Sequence, residues 1–334
     1  MREDDCIVLG IESTAHTFGV GIVKSDGEIL SNAKSEYIPV KGGIHPREAA
    51  QHHSKVAVEV LKKAFFEAKI SPSDLSAIAF SAGPGLGPCL RTGATVARAL
   101  SLKLKKPLIL VNHCVAHVEI GKLTTHSKDP LIVYVSGANT MVIAYSGGRY
   151  RVFGETLDIA LGNMLDTFAR EVGLGHPGTP KVEELAKRGR EYISLPYVVK
   201  GQDVSYSGLL TEALKRYREL GREKIHDLCY SLIETAYGML AEVTERALAH
   251  TEKKELLLTG GVVRSKRFQE MFNEVAKEHG AIMKVVPYEY AGDNGAMIAW
   301  TGILCYKHGL FAPVEQSFIK PDWRIDEVDI PWMH

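Results

Sequence analysis

The 334-residue chain has little of what marks secreted, membrane-spanning or polyanion-wrapping proteins. Its five cysteines (Cys6, Cys89, Cys114, Cys229, Cys305) are scattered, odd in number and without a C-x-x-C pair. That pattern fits neither a disulfide framework nor a zinc ribbon, so a reducing, cytoplasmic setting is expected. Charge of one sign is not in excess either: Lys plus Arg is 40, Asp plus Glu is 40, and the formal net charge is zero. Without a global basic field to hold a polyanion by counterion release, any nucleic acid must be met by a local patch or with help from partners. The opening Met1-Arg2-Glu3-Asp4-Asp5 is acidic where a signal peptide is basic, and no apolar core follows it, so export is not expected. Long hydrophobic runs are missing as well. The longest uncharged stretch, Pro130 to Gly148, is broken by Ser136-Gly137-Ala138-Asn139-Thr140 and reads as two strands and a turn, with no membrane role. Hydrophobic residues at 45% and charged residues at 24% place the chain among folded globular proteins, at a length of roughly two domains.

What is present is a repeated rhythm. Apolar runs Cys6 to Ile11 and Phe18 to Lys24 flank a polar loop, and Asp26-Gly27 then turns into a third run, Glu28 to Ala33. Asp-Gly between apolar runs is a strong hairpin signal. The same order returns at Leu131 to Val135, the loop Ser136 to Thr140, Met141 to Ser146, the turn Gly147-Gly148, and Arg149 to Gly154. This is an internal duplication, each copy three strands followed by helices. Helical spacing predicts helices over Pro46 to Lys69, Thr92 to Leu104, Gly162 to Val172, Lys181 to Arg190, Leu209 to Leu220, Lys224 to His250 and Ser265 to His279. Strands are expected at Leu75 to Phe80, Pro107 to Val111, Glu255 to Thr259 and Ile282 to Val286, with Gly83 to Pro88 as a rigid loop. The class is α/β, and with no low-complexity linker the halves are expected to share a cleft.

Several constellations could carry chemistry. His113 and His117 follow a buried strand and an Asn112 able to cap a helix, so their spacing of four puts both imidazoles on one helix face. Chance also produces such spacing among 13 histidines, and position 114 is Cys where a zincin needs Glu. Two histidines are too few for a transition metal, which leaves Tyr134 at a strand end and Asp293 at a helix start as candidate further ligands. The loops Glu12 to Thr17 and Ser136 to Thr140 hold equivalent places in the two copies and suit anionic oxygens, though each is equally an ordinary polar turn. Thr259-Gly260-Gly261-Val262 turns from strand to helix, where glycines let a flat ring or phosphate approach the backbone. Neither G-x-G-x-x-G nor a P-loop occurs. Asp166 and Glu183 flank the Gly173 to Pro180 loop, either as ribose ligands or as solvated helix charge. The segments Gly42 to Pro46 and Lys200 to Gly208, with Lys41 and Arg47 beside the first, suit RNA phosphates or a partner, although helix capping by Ser207 accounts for part of the second.

In order along the chain, G-I-E-S-T-A-H-T (Gly10 to Thr17), K-G-G-I-H-P-R-E-A-A (Lys41 to Ala50), A-F-S-A-G-P-G-L-G-P (Ala79 to Pro88), N-H-C-V-A-H-V-E (Asn112 to Glu119), Y-V-S-G-A-N-T (Tyr134 to Thr140), L-T-G-G-V (Leu258 to Val262) and D-N-G-A-M-I-A (Asp293 to Ala299) closely resemble the tRNA N6-adenosine threonylcarbamoyltransferase family, in its archaeal and eukaryotic KEOPS-type branch. The resemblance implies an actin/Hsp70/hexokinase-like (ASKHA) fold of two related lobes around a nucleotide and metal. The N-terminal lobe would span residues 1–115, with 300–334 as its candidate completion, and the C-terminal lobe residues 116–299 with a helical insertion. The resemblance further implies that His113, His117, Tyr134 and Asp293 coordinate one transition metal, iron or zinc, as the catalytic centre. By the same carry-over Tyr134, Val135, Ser136, Gly137 and Ala138 line an adenine nucleotide, with Asp166 and Glu183 toward the adenosine; Gly260 and Gly261 of the glycine pair described above are further candidates to bind it. Two positions depart from the family pattern: Thr179 stands where relatives generally have glycine, and Ser265, within Val263-Arg264-Ser265-Lys266, stands where an asparagine usually contacts nucleotide.

The reaction so implied moves a threonylcarbamoyl group from L-threonylcarbamoyl-adenylate to N6 of the adenosine 3′ of the anticodon, position 37, in tRNAs reading codons that begin with A. Expected partners are tRNA, a small kinase-like protein, a dimerising subunit and a further small subunit. Two alternatives use the same fold without that chemistry: an ATP-dependent sugar- or acetate-type kinase, and a non-catalytic nucleotide-binding scaffold. Kinases of that kind hold Mg²⁺ through carboxylates and water, whereas a His/Tyr/Asp set favours a softer metal.

Overall fold

The computed structural model describes residues 6–39, 43–175 and 177–333. Met1 to Asp5, together with Lys41 and Gly42 of the loop singled out above, lie outside the described residues. The backbone divides into two compact units, one of residues 1–124, 147–150 and 293–334, the other of 125–146 and 151–292.

The first unit is built on β1 (Ile7–Glu12), β2 (Thr17–Lys24), β3 (Ile29–Glu36), β4 (Ala77–Gly83) and β5 (Leu108–Asn112), in sheet order β3-β2-β1-β4-β5. The first three are antiparallel; β4 joins β1 in parallel and β5 joins β4 in parallel. Parallel neighbours need crossovers, supplied by α1 (Pro46–Ala68) and α2 (Gly87–Leu104). Leu9, Ile11, Phe18, Val20, Ile78 and Phe80 bury one core with Ala57, Val60 and Ala64 of α1 and Ala94 and Ala97 of α2. The helix α2 begins earlier than the expected Thr92, because Gly87-Pro88 forms its first turn; proline is tolerated there since that amide has no partner within the helix. From β5 the chain passes directly into α3 (His113–Thr125).

The second unit repeats the plan. Its sheet holds β6 (Leu131–Val135), β7 (Thr140–Ser146) and β8 (Arg149–Glu155). After these come α4 (Leu161–Glu171), α5 (Thr179–Ala186), the short pair β9 (Val199–Lys200) and β10 (Asp203–Val204), α6 (Ser207–Leu220) and α7 (Ile225–Thr251). Next are β11 (Glu255–Thr259), α8 (Lys266–Glu278), β12 (Ile282–Val285) and α9 (Tyr288–Ala291). The sheet order β12-β11-β6-β7-β8 matches the first strand for strand: β6 pairs antiparallel with β7 and parallel with β11, which pairs parallel with β12. The duplication expected from the hairpin rhythm is thus present in topology. Its core joins Val133 and Val135 of β6 and Leu256 and Leu258 of β11 to Phe168, Leu232, Leu240, Phe268 and Phe272 of the helices.

Ser207 does not cap α6 as expected. The residue before the helix, Tyr206, offers no capping side chain, and Asp158 fills the role instead by accepting from Tyr206 N at 2.8 Å, Ser207 N at 3.2 Å and Ser207 Oγ at 2.6 Å. Ser205 Oγ also donates to Asp158 at 2.6 Å, and with the Ser207 and Tyr206 donors it holds the Asp158 carboxyl well below its usual range against the opposing effect of burial.

The final helix, α10 (Gly295–Lys307), belongs to the first unit and packs on β1 and β2. Its approach depends on glycines. Gly10 and Gly21 face each other across the β1–β2 ladder, and a Cβ on Gly10 would lie 2.1 Å from Ala299 N, one on Gly21 2.2 Å from Ala296 N. Only a bare backbone lets the helix sit this close. Asp293 and Asn294, just before α10, are placed by that seam.

Candidate metal centre and nucleotide cavity

Asn112 ends β5 and caps α3, its Oδ1 accepting from Cys114 N at 2.9 Å and Val115 N at 3.1 Å. The cap fixes the first helical turn, which carries His113, with His117 one turn later. Their rings meet edge to face, centroids 4.7 Å apart. Asn294 caps α10 in the same manner, accepting from Met297 N at 3.0 Å, and leaves Asp293 just outside the helix. Asp293 Oδ1 lies 3.2 Å from His117 Nε2 and 3.6 Å from His113 Nε2. Among the described residues these three side chains offer one ligand atom each, all within 4.8 Å of one another.

The sequence reading did not single out Glu12 for its role beside them. Fully buried at the end of β1, its Oε1 accepts from Thr14 N at 2.6 Å and Thr14 Oγ1 at 2.5 Å, and its Oε2 pairs with His113 Nδ1 at 3.0 Å. Thr14 Oγ1 is also 3.3 Å from that nitrogen. The available signal was a carboxylate closing a wholly apolar strand, because an acid is seldom buried without a partner. Glu12 pairs with His113 Nδ1, which leaves Nε2, on the Asp293 side, as the nitrogen to ligate a metal once its own proton is lost, the arrangement found behind metal-ligating histidines.

The electrostatics agree. Burial alone would lower the His113 pKa, but the Glu12 charge and hydrogen bond, with Asp293 adding to them, raise it to about 9. Burial lowers the His117 pKa, more than its hydrogen bond to Asp293 can offset. Asp293 is held well below the usual carboxylate range by His117 and His113 in spite of its burial. Two imidazoles and an ionised carboxylate, converging in a buried place where a second carboxylate already attracts positive charge, fit a divalent transition metal.

In the second unit, Tyr134 is a fully buried residue of β6 whose phenol oxygen accepts from Asn139 Nδ2 at 3.3 Å. The loop after it is closed by Ser136: its N donates to Asn139 O at 2.8 Å, and its Oγ accepts from Ala138 N at 3.3 Å and Asn139 N at 3.1 Å. Gly137 stays at the open tip, where a Cβ would meet nothing within 4 Å. Gly260 has φ +99° and presses on Val135, with a would-be Cβ 2.2 Å from Val135 O, so the loops after β6 and β11 lie against each other. Gly261 opens a 3₁₀ turn to Arg264, and Ser265 caps α8 by accepting from Phe268 N at 3.3 Å.

A cavity of about 530 Å³ brings Glu183 and Ser265 together, lined also by Lys187, Ile233, Arg264 and Arg267. Glu183 is half-buried and accepts from Tyr237 Oη at 2.7 Å; burial raises its pKa, against hydrogen bonds from Tyr237 and Ser265. Asp166, Thr179, Gly260, Gly261 and the Tyr134 to Ala138 segment are not in that lining. Asp166 Oδ1 instead accepts from Gly178 N at 2.9 Å, Thr179 N at 2.8 Å and Thr179 Oγ1 at 3.1 Å, capping α5. The threonine at a position of family glycine therefore gives its hydroxyl to the cap. His45 and Arg47 at the start of α1 and Lys200 in β9 are exposed.

Residues 28–300 match the family described as tRNA N6-adenosine threonylcarbamoyltransferase. The protein of that name from Thermofilum pendens is 63% identical over 325 residues, covering 97% of this chain and 96% of that one. The chain belongs to the tRNA N6-adenosine threonylcarbamoyltransferase family. The family's member from Caldivirga maquilingensis is 58% identical over 328 residues, 98% of each chain. Among solved structures, HypF of T. kodakarensis superposes with a TM-score of 0.66 at 15% identity, over 95% of this chain and 49% of that one. That likeness shows the fold alone, which is of the actin/Hsp70/hexokinase-like class expected. Identity this high to transferases disfavours the kinase and scaffold alternatives. No helix among the described residues is long and apolar enough to cross a membrane.

Proposed function

We propose that this chain transfers the threonylcarbamoyl group of L-threonylcarbamoyl-adenylate to N6 of adenosine 37 in tRNAs reading codons that begin with A, acting in the cytoplasm with the KEOPS-type partners named above. The observation that carries the reading is the convergence of His113 and His117 with Asp293, a residue 176 positions beyond His117, in a chain of this family. These three would hold one metal ion, iron first and zinc second, with Tyr134 assigned as a further ligand by the family resemblance. When bound, such an ion supplies Lewis-acid polarisation of an electrophile.

The chain's own residues do the rest. Glu12 and Thr14 keep the His113 proton on Nδ1. In the second unit Glu183, held by Tyr237, would offer a carboxylate to the hydroxyls of an adenine nucleotide, and Gly261, where a Cβ would meet nothing within 4 Å, would leave room beside it, while Gly260 is packed on Val135. The Ser136 to Ala138 loop, with open space at its Gly137 tip, would take the nucleotide's anionic oxygens. In the transfer, the bond from N6 to the carbamoyl carbon forms as the C–O bond to the adenylate breaks; AMP departs and N6 loses a proton to solvent. An exocyclic adenine amine is a weak nucleophile, so positioning and electrophile activation supply most of the acceleration, and no Ser or Cys nucleophile is required. Zero net charge leaves part of the grip on tRNA to the partners.

Reconstitution with threonine, bicarbonate, ATP, the enzyme forming the intermediate, partner subunits and tRNA tests this, with modified adenosine scored by mass spectrometry. Product is expected only when this chain is present, and is lost with His113→Ala or His117→Ala. Full modification by both variants would remove the metal from the mechanism.

A further inference from the structure

The helix α1, which follows the His45-Pro46-Arg47 motif, carries a histidine that the functions above leave unused. His53 is wholly buried and lies against Phe18, ring centroids 5.6 Å apart. Its Nε2 donates to Ala15 O at 3.1 Å, while its Nδ1 is buried without a hydrogen-bond partner. Burial pushes its pKa down to about 4, so the ring is neutral and the Nε2 proton is available as the donor. A leucine or phenylalanine would fill a similar volume without stranding a ring nitrogen, which is costly in an apolar interior. What the imidazole adds is the bond to Ala15.

Ala15 lies in the loop between β1 and β2, whose three successive carbonyls are each held by a different element. Thr14 O accepts from Leu86 N at 2.8 Å, Ala15 O from His53, and His16 O from Tyr37 N at 2.8 Å. Thr14, next to Ala15, is the residue whose amide and hydroxyl hold Glu12, which in turn holds His113. Hydrogen bonds joined through the Thr14–Ala15 backbone thus lead from α1 through the loop to the first ligand of the metal centre.

The geometry points to His53 as a positioning residue that, through Ala15 and Thr14, fixes the Glu12 carboxylate behind His113 and so sets the metal affinity and ligand field of the site. The inference rests on the metal-binding reading proposed above and adds to it a residue that touches neither metal nor substrate.

The test is a titration of the metal-stripped full chain with Co²⁺, following the visible d–d bands that report ligand geometry. His53→Gln places an amide donor near Nε2 and is expected to bind within about twofold of the parent. His53→Asn and His53→Leu lose the bond to Ala15 and are expected to bind Co²⁺ roughly tenfold more weakly, with altered bands, since partners behind a ligating histidine are worth about 10–100-fold. Thermal melts check folding; if the leucine variant fails to fold, the asparagine and glutamine pair decides. Parent affinity and bands in His53→Asn would overturn the inference, and so would equal weakening in His53→Gln, which would place the effect in packing. A parent chain that binds no Co²⁺ would overturn the metal reading itself and this inference with it. Parent binding with an unaffected asparagine variant would overturn this inference alone.

Discussion

Replacing Glu12 by glutamine separates two effects that the structure assigns to one carboxylate. Glu12 accepts the His113 Nδ1 proton at 3.0 Å and so presents Nε2 to the metal; loss of such a partner weakens metal binding by about 10–100-fold, or about 1.4–2.7 kcal/mol. Glu12 is also the main reason that the His113 pKa stands at about 9. A ring with that pKa carries a second proton, on Nε2, near neutrality, and metal must displace it, so at about pH 7.5 binding to the parent is opposed by roughly 30-fold, about 2 kcal/mol, and glutamine removes most of this handicap. The two effects therefore nearly cancel near neutrality and separate in alkali. Chelator-buffered Zn²⁺ titrations of stripped protein should give parent and Glu12→Gln similar affinities at about pH 7.5, and a parent advantage of about 10–100-fold at about pH 9.5, where the proton has already gone. The same ratio at both pH values, or tighter binding by the variant in alkali, would refute the assignment of Glu12 as the group that orients and charges His113.

Three further outcomes follow from particular contacts. Gly10→Ala drives a Cβ to within 2.1 Å of the Ala299 amide nitrogen, and since backbone must move, the melting temperature should fall by about 5–10 °C with weaker metal binding; a parent-like melt would show that α10 does not depend on the glycine seam. Asp166→Ala removes the acceptor of three donors at the start of α5 and should cost about 1–2 kcal/mol in urea unfolding, with faster amide exchange at Gly178 and Thr179; unchanged exchange there would argue against the cap. Because the His113 pKa in the folded, metal-free chain lies above its ordinary value, its pairing with Glu12 stabilises the fold fully below about pH 6.5 and fades as pH rises through about 9. Stripped protein should accordingly melt lower at about pH 9 than at about pH 7, with a smaller difference in Glu12→Gln; a rise instead would reverse the sign assigned to His113.

Much of the fold was legible because its signals are local. Asp26-Gly27 and Gly147-Gly148 mark equivalent hairpins by turn chemistry alone, and the apolar runs beside them have the lengths of buried strands. Elements without a local signature were missed. The pair Val199–Lys200 and Asp203–Val204 is too short to show a period of two, and the first turn of α2 looks like loop because glycine and proline punctuate it. Sequence proximity points to Ser207, the nearest hydroxyl, as the cap of α6, whereas Asp158 reaches it from 49 residues away. Capping chemistry can be read from residue type, but the donor's partner is chosen by tertiary structure.

The same limit governs the site. His113 and His117 announce themselves because a helix converts a spacing of four into a shared face, and Asp293 because it precedes a capped helix beside glycines. Their support is non-local and carries no spacing: Glu12 is 101 residues from His113, and His53 is 38 from Ala15. What marks such residues is incongruity with their surroundings, an acid closing an apolar strand or an imidazole buried on a helix face otherwise lined by alanine and valine. A group whose desolvation is unfavourable persists in the interior only when a specific partner compensates it, so each misplaced polar residue in a buried element implies a contact that sequence spacing cannot name. In this chain those contacts lead from the first hairpin loop to the histidine that faces Asp293, and the ligands and their scaffold are better treated as one hydrogen-bonded unit than as separate motifs.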